Sequence, residues 1–399
     1  MASRPQVAAR RPPSSGFNLS LNNPDVRAII YQVIVVGAVA FGVWYLVSNT
    51  MANLETRKIA TGFGFLWREA GLPIGEAVIE YHPSDRYFDA LLVGLLNTLR
   101  VAILGIIFAT IFGTFLGIAR LSKNWLVAQT ARVYVEVIRN LPLLLQLLFW
   151  WTLFRDLFPV PKDAHNPITG VFLSNRGIRI PALIWEREHT YVLIAFLIGV
   201  AATIILSRWA KQRQAATGKQ FPMVRVGLAL VVGLPLVVFL ALGAPLNLEM
   251  PELRGFNYVG GSNLTPEFAA LLIGLVMYTA AFIGEIVRSG ILAVSHGQTE
   301  AALAVGLKRG LVLRLVVLPQ ALRVIVPPTT SQYLNLTKNS SLAVAIGYPD
   351  IVSVANTTLN QTGQAIEGIA IIMIVYLTIS LSISLFMNWY NKHIALVER

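Results

Sequence analysis

Residues 88–118 read FDALLVGLLNTLRVAILGIIFATIFGTFLGI. Asp89 and Arg100 are the charged residues in that stretch. About 20 apolar residues suffice for a helix to cross the roughly 30 Å hydrocarbon core of a bilayer. A helix also satisfies its own backbone hydrogen bonds, which lipid cannot do for it. This run therefore reads as a membrane-spanning helix. Its polar interruptions, Asn97 and Arg100, lie one turn apart on one face.

The whole chain repeats that pattern. Of its 399 residues, 55% are hydrophobic and 13% are charged, with a mean hydropathy of +0.63. A soluble domain carries about 25% charged residues. The fold class read from this is an all-α polytopic membrane protein. Eight spans are expected, near 28–48, 88–118, 133–155, 190–207, 226–243, 267–288, 327–347 and 366–388. Pro327, Pro328, Thr337 and Lys338 interrupt the seventh.

With the N-terminus inside, the inside segments hold nineteen Lys and Arg residues and the outside segments nine. Basic residues collect in cytoplasmic loops, so both termini are expected in the cytoplasm. The net charge of +12 follows from the same bias and does not require a nucleic-acid partner. The first span has a long leading region and no A-x-A site after it, which reads as an uncleaved anchor. Residues 1–24, rich in Pro, Ser, Asn and Arg, read as a flexible tail. Absence of cysteine excludes disulfides, iron–sulfur clusters and thiolate zinc sites. None of the five histidines falls in a long apolar run, so a buried bis-histidine haem is not expected.

The apolar pattern breaks most informatively at 296–326, HGQTEAALAVGLKRGLVLRLVVLPQALRVIV. Thr299 to Val305 is good helix former, with Thr299 as the expected N-cap and Glu300 in the first turn. Gly306 is the expected C-terminal stop. Leu303, Leu307 and Leu311 recur at helical spacing. The expected object is a short amphipathic helix, a turn and a second helix at the cytoplasmic surface. Leu318-Pro319 is expected to break the chain before the seventh span. Such a helix either rests on lipid headgroups or docks in a groove of a soluble partner.

Glu300-Ala301-Ala302, Gly306 and the downstream Leu318-Pro319 resemble the EAA loop of binding-protein-dependent ABC importer permeases. GLLNTLRVAILG (94–105), YVEVIRNLPLLLQLLFWW (134–151), 264–291 and TKNSSLAVAIG (337–347) are similar to the polar amino-acid permease family. The closest fit is to a general L-amino-acid or Glu/Gln/Asp/Asn permease subunit. The resemblance implies a five-helix type I importer core in 88–388, with an N-terminal helix and an inserted helix pair. On this division 1–27 is a cytoplasmic tail, 28–87 the first span and a periplasmic loop, 156–265 the insertion, and 389–399 the cytoplasmic C-terminus. The outer loop 156–189 either meets a binding protein or is inert cover.

The resemblance further implies an inner-membrane transport subunit that is not itself an enzyme and binds no cofactor. ATP and Mg would sit on a partner ATPase dimer. A second homologous permease subunit, a periplasmic amino-acid-binding protein and the amino acid itself would complete the assembly. The sequence agrees in lacking a G-x-x-x-x-G-K-[ST] phosphate loop. Glu300, Ala301, Ala302, Gly306, Leu318 and Pro319 would couple to the ATPase.

Intramembrane polar groups are the default site candidates. These are Asn97, Arg100, Tyr278, Thr279, Glu285 and Lys338. Arg100, roughly mid-bilayer by residue count, either receives a substrate carboxylate or forms an ion pair. Glu285 and Arg288, three residues apart, either line a pathway or pair along their helix. Tyr278 and Thr279 either line a pore or pack, and Lys338 is either a site group or part of a hinge. Arg139-Asn140 with Pro142 reads as a helix-bending element. Gly113-x-x-x-Gly117 suits close helix packing, within the chain or with a second subunit. An ion-driven transporter would explain the spans but not the EAA-type loop, and the halves show no inverted repeat. A membrane scaffold fits the buried charges less well.

Overall fold

The computed structural model describes residues 24–56 and 61–394. The expected tail 1–24 lies almost wholly outside the described residues, as do Arg57, Lys58 and residues 395–399. The described chain is mostly helical, and seven helices are long and apolar enough to cross a membrane, or eight if one bent pair counts as a span. These are α1 (Pro24–Thr56), α2 (Tyr87–Ala119), the bent pair α3 (Trp125–Asn140) and α4 (Leu143–Thr152), and α5 (Arg187–Thr217). A further span joins α6 (Met223–Leu228) to α7 (Leu234–Ala241) through a π-turn, and α8 (Pro266–Leu292) follows. A short α9 (His296–Ala304) leads to α10 (Arg309–Val312), α11 (Leu318–Asn339), α12 (Ile351–Thr362) and α13 (Ala365–Ile394).

Glycine spacing decides how the core packs. α2 and α8 lie parallel and nearly touch backbone to backbone. A Cβ built on Gly113 would sit 2.6 Å from the Ile283 Cβ, and one on Gly117 would sit 2.7 Å from the Val287 Cβ. Gly284 answers from α8, 3.0 Å from the Leu116 Cβ. Small residues let membrane helices approach until van der Waals contact replaces the missing hydrophobic drive. The Gly113-x-x-x-Gly117 pair therefore serves a contact within this chain. Elsewhere on the same two helices, Gly94 admits α12 at Ile351, Gly105 admits Leu336 of α11, Gly274 admits Leu147 of α4, and Gly290 admits Ile325 of α11.

Between 133 and 155 the expected single span is broken. α3 and α4 meet at 104° across Leu141-Pro142, because Pro142 has no N–H to continue the ladder. Gln146 caps the break, donating from Nε2 to the Ile138 carbonyl at 3.0 Å and the Leu141 carbonyl at 3.1 Å. Arg139 stacks over Phe282 at 5.0 Å. The Arg139-Asn140-Pro142 stretch is a bend, as its sequence suggests.

The seventh span differs in the opposite sense. Leu318-Pro319 does not break the chain, for α10, a π-turn over Leu313–Val317 and α11 run on without interruption. Pro319 lacks the N–H that would reach back four residues, and the wider turn just before it removes that requirement. Pro327, Pro328, Thr337 and Lys338 all lie inside α11.

Helices α5 and α6–α7 form the inserted hairpin, closest where a Cβ on Gly199 would meet the Leu230 carbonyl oxygen at 2.1 Å. The segments flanking the hairpin carry short antiparallel strands. β1 (His165–Ile168), β2 (Val171–Ser174) and β3 (Gly177–Ile180) extend to β8 (Ser262–Leu264) in that order. β4 (Ala182–Leu183) pairs β5 (Leu248–Glu249), and β6 (Glu252–Arg254) pairs β7 (Asn257–Val259). The β3–β8 pairing fastens the two ends of the insertion together just ahead of α8.

Gly113→Val and Gly117→Val are each expected to destabilise the protein by about 1–3 kcal/mol, because α2 and α8 must separate or strain. Gly42→Val, on α1 where a Cβ meets open space, is the control and leaves stability unchanged. Thermal unfolding of the protein in detergent reads the difference.

Candidate functional site

The parallel packing of α2 and α8 puts Arg100 level with the first turn of α8, not with the middle of that helix. The guanidinium lies 4.1 Å over the ring of Phe268. From the loop before α2, Glu76 reaches it. Arg100 Nη1 donates to Glu76 Oε1 at 2.6 Å, and the Thr265 hydroxyl donates to Glu76 Oε2. Thr265 also caps α8, its hydroxyl accepting from the Phe268 N–H at 3.1 Å. Burial pushes the Glu76 carboxyl above the usual carboxylate range, although Thr265 and Arg100 both pull it down.

Asn97 is fully buried and is spent on backbone. Its Nδ2 donates to the Glu76 carbonyl at 2.8 Å and the Pro349 carbonyl at 2.9 Å. It ties the loop before α2 and the turn before α12 to α2, and it does not face open space. Thr279 is likewise buried. Tyr278 packs half-buried against Phe282 at 5.0 Å between ring centres. Lys338 is exposed near the C-terminal end of α11.

Glu285 and Arg288 do pair along α8, at 2.6 Å. Arg120, which caps α2, joins the same carboxylate from across the helix contact. This cluster sits at the C-terminal ends of α2 and α8. The six candidate polar residues therefore do not form one site. Arg100 and Asn97 belong to a cluster nearer the N-terminal ends of α2 and α8, Glu285 to one at their C-terminal ends, and Tyr278 and Thr279 to the packing between.

The sequence reading missed Glu76 and Asp350. Glu76 carries a faint signal, a single acid inside the otherwise apolar LPIGEAVI of 72–79. Asp350 carries a clearer one, an Asp just before an apolar helical run. Its Oδ1 accepts from the Ser353 N–H at 2.8 Å as the N-cap of α12. The adjacent Ile351 N–H donates to Thr98 of α2 at 3.0 Å.

In the loop after α8, α9 starts at His296 with Ser295 in the N-cap position. Thr299 is thus inside the helix and not its cap, because the helix begins a turn earlier than its best formers suggest. Glu300 consequently lies outside the first turn, and it takes His296 Nδ1 at 3.0 Å. Gly306 closes the helix with φ +83°. Its N–H donates to Leu303 O at 2.9 Å and the Leu307 N–H donates to Ala302 O at 3.2 Å, the two bonds of a Schellman turn. Ala302 faces inward while Ala301, Leu303 and Val305 are exposed, Val305 at 77%. Leu318 and Pro319 lie in the helix beyond and not at a break.

Residues 229–396 match the family described as binding-protein-dependent transport system inner membrane component. Over 383 residues the chain is 50% identical to the general L-amino acid transport system permease protein AapQ of Rhizobium johnstonii, covering 96% of each. It is 50% identical over 387 residues to the putative amino-acid ABC transporter permease protein YhdX of Escherichia coli, covering 96% of this chain and 98% of the relative. With the glutamate/glutamine/aspartate/asparagine transport system permease protein BztB of Rhodobacter capsulatus it shares 43% identity over 425 residues, covering 98% of this chain and 99% of the relative.

Asp350 is buried where it caps α12. Burial raises its carboxyl to about 7, against the pull of backbone hydrogen bonds at the helix start. The fold therefore favours the protonated form. That stabilisation is full below the ordinary carboxylate range and is lost as pH rises through about 7. Asp350→Asn keeps a capping oxygen without the charge. Its unfolding temperature is expected to match or exceed that of the parent protein at about pH 8, with the difference shrinking toward about pH 5. A thermal series across that range checks it.

Proposed function

The chain belongs to the binding-protein-dependent transport system inner membrane components as an amino-acid ABC transporter permease, and we propose how its parts divide that work. It carries L-amino acids across the inner membrane. ATP is hydrolysed on a separate subunit, and a soluble binding protein delivers the substrate at the outer face. A second, homologous permease subunit pairs with this one, and both termini lie in the cytoplasm. The core of the permease is drawn from 88–388, with 156–265 as an insertion.

The observation that carries the coupling role is the shape of α9. A nine-residue helix ends in a glycine-dependent Schellman turn and presents Ala301, Leu303 and Val305 outward at the inner end of the bundle. Small and apolar side chains on an exposed helix suit a groove on a soluble partner. Glu300 and Gly306 hold the shape that the ATPase grips. Closure of the ATPase around ATP pushes α9, and the attached helices swing between inward-open and outward-open arrangements. At the outer end, Arg100 is the group that meets the substrate's carboxylate, held by a rigid helix and backed by Phe268. A guanidinium suits a carboxylate because its fork matches the two oxygens.

Gly306→Ala strains a left-handed backbone position by about 1–2 kcal/mol while filling only open space. It is expected to weaken substrate-stimulated ATP hydrolysis and uptake together in proteoliposomes that hold all subunits. Gly306→Asp adds a charge at the docking turn and is expected to abolish both. Uptake that ignores ATP and follows an ion gradient would overturn the reading.

A further inference from the structure

Two cavities meet at Glu76. One, of about 370 Å³, is lined by Leu72, Gly75, Glu76, Thr265, Pro349 and Thr357 among others. The second, of about 430 Å³, adds Val78, Arg100, Gly261 and Asn263 around the same Gly75, Glu76 and Thr265. The Glu76–Thr265 contact is thus a partition between two spaces, each large enough for a small zwitterion. The partition belongs to a strap, residues 72–78, that has no regular secondary structure. Arg100 and Thr265, by contrast, sit on helices held by the core.

The ion pair is unusual in what surrounds it. Glu76 is 8% exposed and Arg100 is 25% exposed. Taking a carboxylate out of water commonly outweighs what its partner returns, and the raised Glu76 carboxyl agrees with that balance here. Glu267 adds a like charge nearby. The strap nevertheless delivers a carboxylate to a guanidinium of α2, with one oxygen on Arg100 and the other on a hydroxyl. A free amino acid would present the same two oxygens to the same two donors.

We propose that Glu76 is a tethered stand-in for the carboxylate of the substrate, seated on Arg100 and Thr265 until an incoming amino acid displaces it and the 72–78 strap opens the partition. The exchange is carboxylate for carboxylate, so Arg100 keeps a counter-charge throughout. Asn97 and Tyr81 set how far the strap moves. Asn97 Nδ2 holds the Glu76 carbonyl at 2.8 Å, and the Tyr81 hydroxyl holds the Leu72 carbonyl at 2.9 Å. This inference rests on the reading of Arg100 as the carboxylate-binding group, and it adds a competitor built into the chain.

The test uses the whole complex in proteoliposomes, with its binding protein loaded with L-glutamate. Uptake is measured against the concentration of loaded binding protein for four forms: the parent, Glu76→Gln, Glu76→Asp and Arg100→Gln. Glu76→Gln keeps the shape and removes the competing charge. Its half-saturating concentration is expected to fall about two- to fivefold, the range of a partly exposed ion pair. Glu76→Asp keeps the charge on a side chain one methylene shorter, which seats less well on Arg100 and Thr265, so a smaller fall is expected. Arg100→Gln is expected to raise half-saturation or lose uptake. If Arg100→Gln transports like the parent, the carboxylate reading itself fails. If Arg100→Gln is impaired while Glu76→Gln is unchanged or weaker, the stand-in is overturned and the carboxylate reading survives. Gel filtration reports assembly of each complex. Should Glu76→Gln fail to assemble, Glu76→Asp decides in the same way.

Discussion

Everything in this bundle depends on how closely α2 approaches α8. Lipid gives two apolar helices no hydrophobic reason to prefer each other, so attraction must come from surface in contact. Gly113, Gly117 and Gly284 remove the side chains that would hold the helices apart. Ile283 and Val287 then fill the notches. With the two helices in register, Arg100 falls beside Phe268 and Thr265, and Arg120 falls beside Glu285. The charged residues at both ends of the pair are positioned by glycines in its middle. α4, α11 and α12 enter the same core at other glycines of α2 and α8, so one device sets most of the packing.

The two ends differ in electrostatic character. At the C-terminal end of the pair one carboxylate, Glu285, serves two arginines, and all three groups stand on or at the ends of helices. Toward the N-terminal end one carboxylate serves one arginine and arrives from a loop. A buried pair held by rigid elements fixes geometry. A pair with one member on a strap is fixed only as firmly as the strap, here held by Asn97 at the Glu76 carbonyl and by Tyr81 at the Leu72 carbonyl.

Much of this was legible in the sequence, and the reasons are local. Length and hydropathy mark a membrane helix almost without context, so the existence of the spans could be read directly. Pro142 after Arg139-Asn140 announced a bend, because a missing N–H acts on its own helix. Leu318-Pro319 misled for the same reason in reverse. A π-turn just upstream absorbs the proline, and nothing in LRLVV signals a wider turn. Thr299 misled because the helix begins a turn earlier than its best formers, at His296, with Ser295 in the N-cap position and no side chain capping it. The strands of the insertion are too short to stand out from loop, and β3 meets β8 across the whole inserted hairpin. Glu76 was hidden most deeply. Its role depends on a residue on α2 and another at the start of α8, which no spacing along the chain encodes. Arg100 was found but its neighbours were not, since counting along one helix says nothing about where the next one begins.

The uninterrupted run through Pro319 has a mechanical meaning. From Arg309 to Ile346, 38 residues form one continuous helical rod, about 55 Å long at helical rise. Its N-terminal tip follows the Schellman turn, and its C-terminal tip delivers the chain to the turn that Asn97 grips at Pro349. A helix is stiff along its axis and yields first where its hydrogen-bond ladder is thinned. In this rod those places are the π-turn and the paired prolines at 327 and 328. A load applied at Lys308 would reach Gly347 less whatever these two softer places absorb, so stiffness, and not contact, is the property by which the two tips of the rod are connected.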